Sequence, residues 1–382
     1  MQLMLFALLF MGPALSGEGW FENKRTGHIG PSSVLRAWAP SPDSEEPIGY
    51  VLDVSVSPDG GLAVLEGKDS RVYIWRPDGS FHTAVSRDGQ GPGELTGPNF
   101  VALGNDHLFV YQFAGEVSVF YRKDDYAMTT ARKFNVARGF PRVFQVLAGE
   151  KLLLGRSKAG LEMEPLTAQI MALDGTMSEL TGLRKTPKFP LWNVINMSDP
   201  NEKLPVGMAR LWACRRKAGG FYYGFSDTAT LHQLDRNGRP VDSLTLKLPR
   251  LLADADDIAG YMDTPIAIIE KSPKDLNKEF GMQLKLDTDS YMSFYTQFLD
   301  YGSHFLIFVT PMGGFQMADF LLSGDRCQYY DPKTKTVQHR GRLALAEDVR
   351  LFVTEDSVVR IRFDENDLMV AESVRLDWVA KP

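Results

Sequence analysis

From Asp53 the chain reads DVSVSPDGGLAVLEGKDSRVYIWRPDGSFHTAV, a succession of short alternating or β-branched apolar runs, each cut off by a turn. Two of the interruptions are Ser57-Pro58-Asp59-Gly60 and Arg76-Pro77-Asp78-Gly79. Proline presets φ, the aspartate side chain bonds its own turn, and glycine enters φ > 0 freely, so each sequence is a hairpin turn. Alternation with a period of two between such turns predicts four strands in a simple meander, about one propeller blade in length.

The rhythm returns downstream. A second unit covers Phe100 to Leu103, His107 to Tyr111, Val117 to Tyr121 and a strand before Phe134. A third uses Arg142 to Val146, Lys151 to Leu154, Ala168 to Leu173 and a strand after Asp174-Gly175. The fourth begins near Ala209 and contains Phe221 to Phe225, Thr230 to Leu234 and Val241 to Leu246, with Asn237-Gly238 marking its last hairpin. The fifth runs from about Tyr295 through Phe305 to Val309, Arg326 to Tyr330 and Val337 to Gly341. The sixth has Val349 to Thr354, Ser357 to Phe363 and Met369 to Leu376, one strand short of a blade. An orphan strand at Ser33 to Ala39 precedes the first unit and supplies the missing one, which removes the open sheet edges.

Repetition of this kind predicts an all-β, six-bladed β-propeller of four-stranded antiparallel blades, a single domain over residues 33–382. One segment departs from it. Over residues 251–281 the spacing of Ile258, Met262, Ile266 and Ile269 is helical, with Pro265 as a kink, and predicts a helical insertion between blades four and five. Its Asp254, Asp256 and Asp257 fit an acidic first helical turn, because they lack the glycine and distant glutamate of a calcium loop.

Charge narrows the function. A net charge of −6 excludes a nucleic-acid-binding surface, since phosphate neutralisation needs clustered Lys and Arg. Arg215-Arg216-Lys217 is a short local run, read as a solvated hairpin edge. Residues 1–16 read as a signal peptide: the run from Met1 is uncharged and apolar, with small residues at Ala14 and Ser16 for cleavage. No Lys or Arg precedes the run, which leaves a misassigned start or a buried N-terminal strand as alternatives. After cleavage no stable membrane span remains, and the expected location is secreted or periplasmic. Cys214 and Cys327 are the two cysteines, too few for a disulfide framework; they pair if the fold brings them together, and the simpler reading is two separately buried thiols.

Asp59-Gly60, Ser70 to Trp75, Pro77-Asp78-Gly79 and then Arg87-Asp88-Gly89-Gln90-Gly91-Pro92-Gly93-Glu94-Leu95 resemble an NHL-type repeat. The Gly89 to Glu94 stretch is similar to one in bacterial exported six-bladed β-propeller proteins. The resemblance is specific over residues 50 to 98 and elsewhere is one of rhythm. It implies the six-bladed fold and an exported setting, and it carries over no catalytic residues.

Blade geometry places the Pro-Asp-Gly turns on one face and the loop from Arg87 to Glu94 on the other, near the mouth of the central channel. Arg87, Asp88, Gln90 and Glu94 are candidate ligand-binding groups there, while Gly89, Gly91, Pro92 and Gly93 shape the loop. The simpler reading is that the glycines only turn the chain between blades. Trp192 and Asn193 are further ligand-binding candidates, because Pro187, Pro190, Pro200 and Pro205 discourage regular pairing around them. The aromatics Phe221, Tyr222, Tyr223 and Phe225 beside Trp212 read as interblade core rather than a stacking platform. His107 and His304 each directly precede an apolar strand and are expected at hairpin ends in solvent. No nucleophile elbow, metal-binding helix or phosphate loop is present, so no catalytic residue, metal or cofactor is assigned. The leading expectation is an exported non-catalytic recognition module for a peptide, glycan or partner protein. The alternative is a metal-dependent hydrolase or lyase with ligands in the channel.

Overall fold

Turn chemistry sets the hairpins. The computed structural model describes residues 27–38, 48, 50–122, 128–136, 141–147, 150–156, 167–180, 192–196, 203–205, 211–226, 228–248, 282–286, 295, 297–309, 326–342, 350–354, 356–364 and 368–380. At the first Pro-Asp-Gly turn the Gly60 N–H donates to Ser57 O at 2.9 Å with Gly60 at φ +96°, and Asp59 Oδ1 accepts from the Gly61 N–H at 3.3 Å. The second closes in the same way, Gly79 to Arg76 O at 3.0 Å and Ser80 N–H to Asp78 Oδ1 at 2.8 Å. A side chain that caps its own turn and a glycine at φ > 0 make these reversals independent of the rest of the fold.

The strands are all antiparallel within their sheets. The first of them, β1 (Gly27–Trp38), belongs to the last blade. Blade one is β2 (Val51–Val56), β3 (Leu62–Glu66), β4 (Arg71–Trp75) and β5 (Phe81–Val85); blade two is β6 (Pro98–Leu103), β7 (His107–Gln112), β8 (Glu116–Arg122) and β9 (Met128–Asn135). Blade three is β10 (Pro141–Leu147), β11 (Lys151–Arg156), β12 (Thr167–Met171) and β13 (Met177–Glu179). Next in the chain come β14 (Trp192–Asn196) and β15 (Lys203–Pro205), then blade four with β16 (Leu211–Arg215), β17 (Phe221–Phe225), β18 (Thr230–Leu234) and β19 (Pro240–Thr245). After β20 (Met282–Leu286), blade five is β21 (Gln297–Asp300), β22 (Phe305–Val309), β23 (Arg326–Asp331) and β24 (Thr336–Arg342). Blade six combines β25 (Arg350–Val353), β26 (Val358–Phe363) and β27 (Met369–Ala380) with β1 as the outermost strand. The chain is an all-β six-bladed propeller.

The strands β2, β6, β10, β16 and β21 begin their sheets and pack in succession against one another, forming the inner ring. Apolar faces of adjacent blades interlock between them. Ala63, Leu65, Val72 and Ile74 of blade one meet Val101, Leu103, Leu108 and Val110 of blade two, all buried. Blades three and four join through Leu153, Ile170, Leu211, Ala213 and Tyr223. Trp212, Phe221, Tyr223 and Phe225 are at most 5% exposed, so these aromatics are core.

Closure follows the expected pairing and extends it. Val34 opposes Val374 and Trp38 opposes Ala371, and the β1–β27 ladder continues outward to Gly27 opposite Ala380. Because β26 pairs only from Val374 to Met369 of β27, the final part of β27 is paired with β1 alone. That extension folds against blade five, where the Tyr329 hydroxyl donates to Leu376 O and Leu376 is fully buried. On its other side β1 reaches blade one: Arg36 Nη1 donates to Gly60 O at 3.2 Å and to Pro77 O, the carbonyls of both Pro-Asp-Gly turns.

One expectation changes. The segment holding Trp192 and Asn193 is a strand: Trp192 opposes Leu286, and Asn193 sits between Pro205 and Lys285 in a three-stranded sheet ordered β15-β14-β20. Pro205 ends β15, an edge strand, the position in a sheet that tolerates proline. The helical insertion predicted over 251–281 lies outside the described residues, as does the signal peptide over 1–16. Among the described residues there is no helix, and none long and apolar enough to cross a membrane.

Candidate binding face

In each blade the first-to-second and third-to-fourth connections emerge on one face, the hairpin face. The second-to-third turns and the passages between blades emerge on the other, the connector face. Hairpin turns are short and capped. The fully described passage from blade one to blade two, residues 86–97, lies on the connector face.

The inner ring satisfies much of its own polar edge. Asp53 on β2 is 2% exposed; its Oδ2 accepts the Val101 N–H at 2.8 Å and its Oδ1 the Val54 N–H at 2.9 Å. Ser55 Oγ accepts the Leu103 N–H at 2.9 Å. These two N–H groups lie on the free inner edge of β6, so blade one caps the channel edge of blade two. Burial holds the Asp53 carboxyl well above the usual aspartate range, against the lowering effect of its two backbone donors. Between blades four and five the Trp212 indole N–H donates to Phe298 O at 2.9 Å. Backbone groups that could have faced a ligand in the channel are here bonded by a neighbouring blade.

The glycine-rich passage from blade one to blade two is a closed clasp. Gly89 N–H donates to Leu95 O at 3.0 Å and Leu95 N–H to Arg87 O at 2.9 Å, bracketing the loop, and Glu94 N–H turns back to Gly91 O at 3.0 Å. Glu94 Oε2 accepts the Gly91 N–H at 2.7 Å, and its Oε1 takes Arg87 Nε at 2.8 Å and Nη2 at 2.7 Å. The Gly91 N–H, followed by the Arg87 guanidinium, holds the Glu94 carboxyl below the usual glutamate range. A Cβ at Gly89 would lie 2.2 Å from Glu94 Oε2, and Gly93 adopts φ +83°. Glycine is therefore required by the carboxylate that pins the loop and by the backbone that carries it.

Glu94 is thus occupied within the loop, with a side chain 22% exposed, whereas that of Arg87 is 75% exposed. Asp88 and Gln90 are exposed beside it, and Pro92 forms the tip. Neighbouring turns buttress the clasp: Ser70 Oγ donates to Asp88 Oδ1 at 3.4 Å, Thr96 Oγ1 to Gly89 O at 2.7 Å, and Thr96 N–H to Gln112 Oε1 at 2.6 Å. Two aromatics that the sequence reading passed over flank it. Tyr50, 43% exposed, precedes β2 and its ring Cδ1 lies beside Gly67; Phe113, 59% exposed, follows β7 and its N–H donates to Gly97 O at 2.9 Å. Their signal was an aromatic placed outside the alternating runs, Phe113 in a turn and Tyr50 ahead of a strand.

The remaining candidates fall elsewhere. Trp192 and Asn193 lie on β14, in the three-stranded sheet away from the clasp in sequence. His107 and His304 are at hairpin ends as expected, yet neither stands free in solvent. His107 Nδ1 is 3.4 Å from Glu150 Oε2 and its ring packs edge-on against Tyr121. His304 packs between Tyr301 and Tyr329, and burial lowers its pKa. Ring packing across neighbouring strands of the same blade, joined for His107 by Glu150 of blade three, is the reason, and no single-strand pattern contains it. Cys214 and Cys327 are buried and unpaired with each other, and burial pushes the Cys214 thiol up. Among the described residues no group of three or more His, Cys, Asp or Glu side chains converges.

Residues 43–154 match the model of a family described as a 6-bladed beta-propeller, a span that contains the clasp and both flanking aromatics. No curated protein matches the chain in sequence. Among solved structures, a Bacteroides fragilis protein described as exported is 10% identical, with 90% of this chain and 94% of that chain covered and a TM-score of 0.46. A virginiamycin B lyase from Staphylococcus aureus is 7% identical (89% and 98% covered, TM-score 0.42), and Saccharomyces cerevisiae Sqt1 is 10% identical (91% and 100% covered, TM-score 0.39). These likenesses are too remote to carry ligand or chemistry across; what the family match and the strand order together establish is a six-bladed β-propeller.

Proposed function

We propose that the chain is an exported, non-catalytic recognition module that holds its partner on the connector face. The observation that carries this reading is the division of labour in the clasp. Glu94 consumes its own hydrogen-bonding capacity to fix the loop, which leaves Arg87, Asp88 and Gln90 exposed on a rigid support. Rigid presentation of polar side chains lowers the ordering cost of binding. Variable loops on a fixed scaffold are where recognition concentrates. The NHL-like pattern over residues 50 to 98 and the apolar run at the start of the chain support the exported setting. Trp192 and Asn193, on β14 of the three-stranded sheet, are kept as further candidates.

Metal analysis tests the non-catalytic part. Purified protein is expected to carry no stoichiometric ion and to keep its melting temperature in excess chelator. A tightly held ion lost together with stability on chelation would replace this reading with a metal-dependent hydrolase or lyase.

A further inference from the structure

Two exposed aromatic rings bracket a polar loop on the connector face, each seated beside a glycine. A Cβ on Gly67 would come within 2.8 Å of Tyr50 Cδ1 and of the Leu52 side chain, so the ring packs beside bare backbone, and Tyr50 is 43% exposed. Phe113 is tied to Gly97 through its own N–H. A continuous chain of contacts runs between them: Gly67 N–H to Tyr50 O at 2.9 Å, Ser70 to Asp88, the Asp88–Leu95 bridge, Thr96 to Gln112 and Phe113 to Gly97. Arg87, Asp88 and Gln90 stand on the loop that this chain spans.

The chemistry of the strip is specific. Arg87 offers several N–H donors, Asp88 offers acceptors, and Gln90 offers both, all exposed and held on a loop without slack. Charge is compensated locally: Arg87 is paired with Glu94, and Lys68 adjoins Asp69, so no excess of cations invites a polyanion. A ligand suited to this surface is uncharged, rich in groups that both donate and accept, and has apolar C–H faces to lie on the electron-rich faces of aromatic rings. Resting on the recognition reading above, we infer that the connector face at blades one and two binds a neutral oligosaccharide, with sugar rings stacked on Tyr50 and Phe113 and hydroxyls bonded by Arg87, Asp88 and Gln90.

Affinity electrophoresis of the intact exported chain tests it, in native gels cast with xylan, starch or galactomannan, and in a control gel with polygalacturonate. Retardation is expected in at least one neutral gel. The Tyr50→Ala/Phe113→Ala variant is expected to weaken it roughly tenfold or more with an unchanged melting temperature, and Tyr50→Phe/Phe113→Tyr to keep it. Migration unaffected by all three neutral polymers, retardation by polygalacturonate alone, or full retention in the alanine pair overturns the inference. The wider reading fails separately: a peptide or protein ligand whose binding is lost in Arg87→Ala leaves recognition on this face standing and removes only the saccharide.

Discussion

At the scale of single residues, the loop between blades one and two separates side chains that build from side chains that present. Gly93 has φ +83°, where a Cβ is strained, and Glu94 bonds two partners inside the loop. Gly93→Ala is therefore expected to lower the unfolding free energy by about 1 kcal/mol or more, measured in urea. Arg87→Ala, which removes a mostly exposed side chain, should leave the urea midpoint in place. Equal losses in both variants would mean that Arg87 is part of the scaffold. The motif was legible as a loop of glycines and polar groups, and its four polar residues were read as equals. The reason that reading stopped there is physical: which carboxylate turns inward depends on the Gly91 N–H and on the path of the loop, neither of which is written in residue types. Tyr50 and Phe113 were missed because a lone aromatic outside the strands has no periodicity to show whether it turns inward or stands exposed.

Between elements, the inner ring is joined by side chains that cross from one blade to the next. Asp53 links β2 to β6, and burial raises its pKa. An acid whose folded value lies above its unfolded value contributes stability that is complete below the ordinary aspartate range, about pH 4. That contribution is lost as the pH rises through the elevated folded value. The difference in unfolding free energy between the native chain and Asp53→Asn, followed by denaturant titration from acid to neutral pH, should accordingly shift against the native chain as the pH rises. A difference independent of pH would show that the carboxyl titrates normally. The strands themselves were legible from alternation and Pro-Asp-Gly turns, usually to within a few residues. The three-stranded sheet was not, because β14 and β20 lie on either side of blade four in the chain and local alternation carries no sign of so distant a pairing. Prolines near β14 pointed to a loop, and the edge position of β15 is what reconciles Pro205 with pairing.

For the whole molecule, the six-unit count and the missing strand at the end of the sixth were enough to foresee closure between the two ends of the chain. What arithmetic could not supply is how far the closing ladder runs, from Trp38 opposite Ala371 to Gly27 opposite Ala380, or that Arg36 fastens it to both turns of blade one. Removing the residues through Ala39 takes away the fully buried Trp38 and uncovers the edge of β27. A loss on the order of 3 kcal/mol or more is expected from the buried indole alone, read as a lower midpoint for one cooperative transition of the entire ring. A truncated chain that melts with the native midpoint would show β1 to be an ornament of the propeller.

The same ladder imposes an order of events on the protein as it is made. Ser32 bonds to Arg375 and Asp377 across a separation of more than 340 positions, so the first strand to emerge waits for nearly the last before it has a partner. Loop closure over such a span is the slow kind of contact. Blades one to five are each sequentially continuous hairpins and can form while the chain is still being delivered, whereas the ring is completed only when the final strand arrives. A chain cut short anywhere before β27 keeps its first strand unpaired and one blade edge bare, a state that invites aggregation or proteolysis. The closing strand pair is in this sense a checkpoint on delivery of β27, read out as the difference between an open arc and a sealed ring.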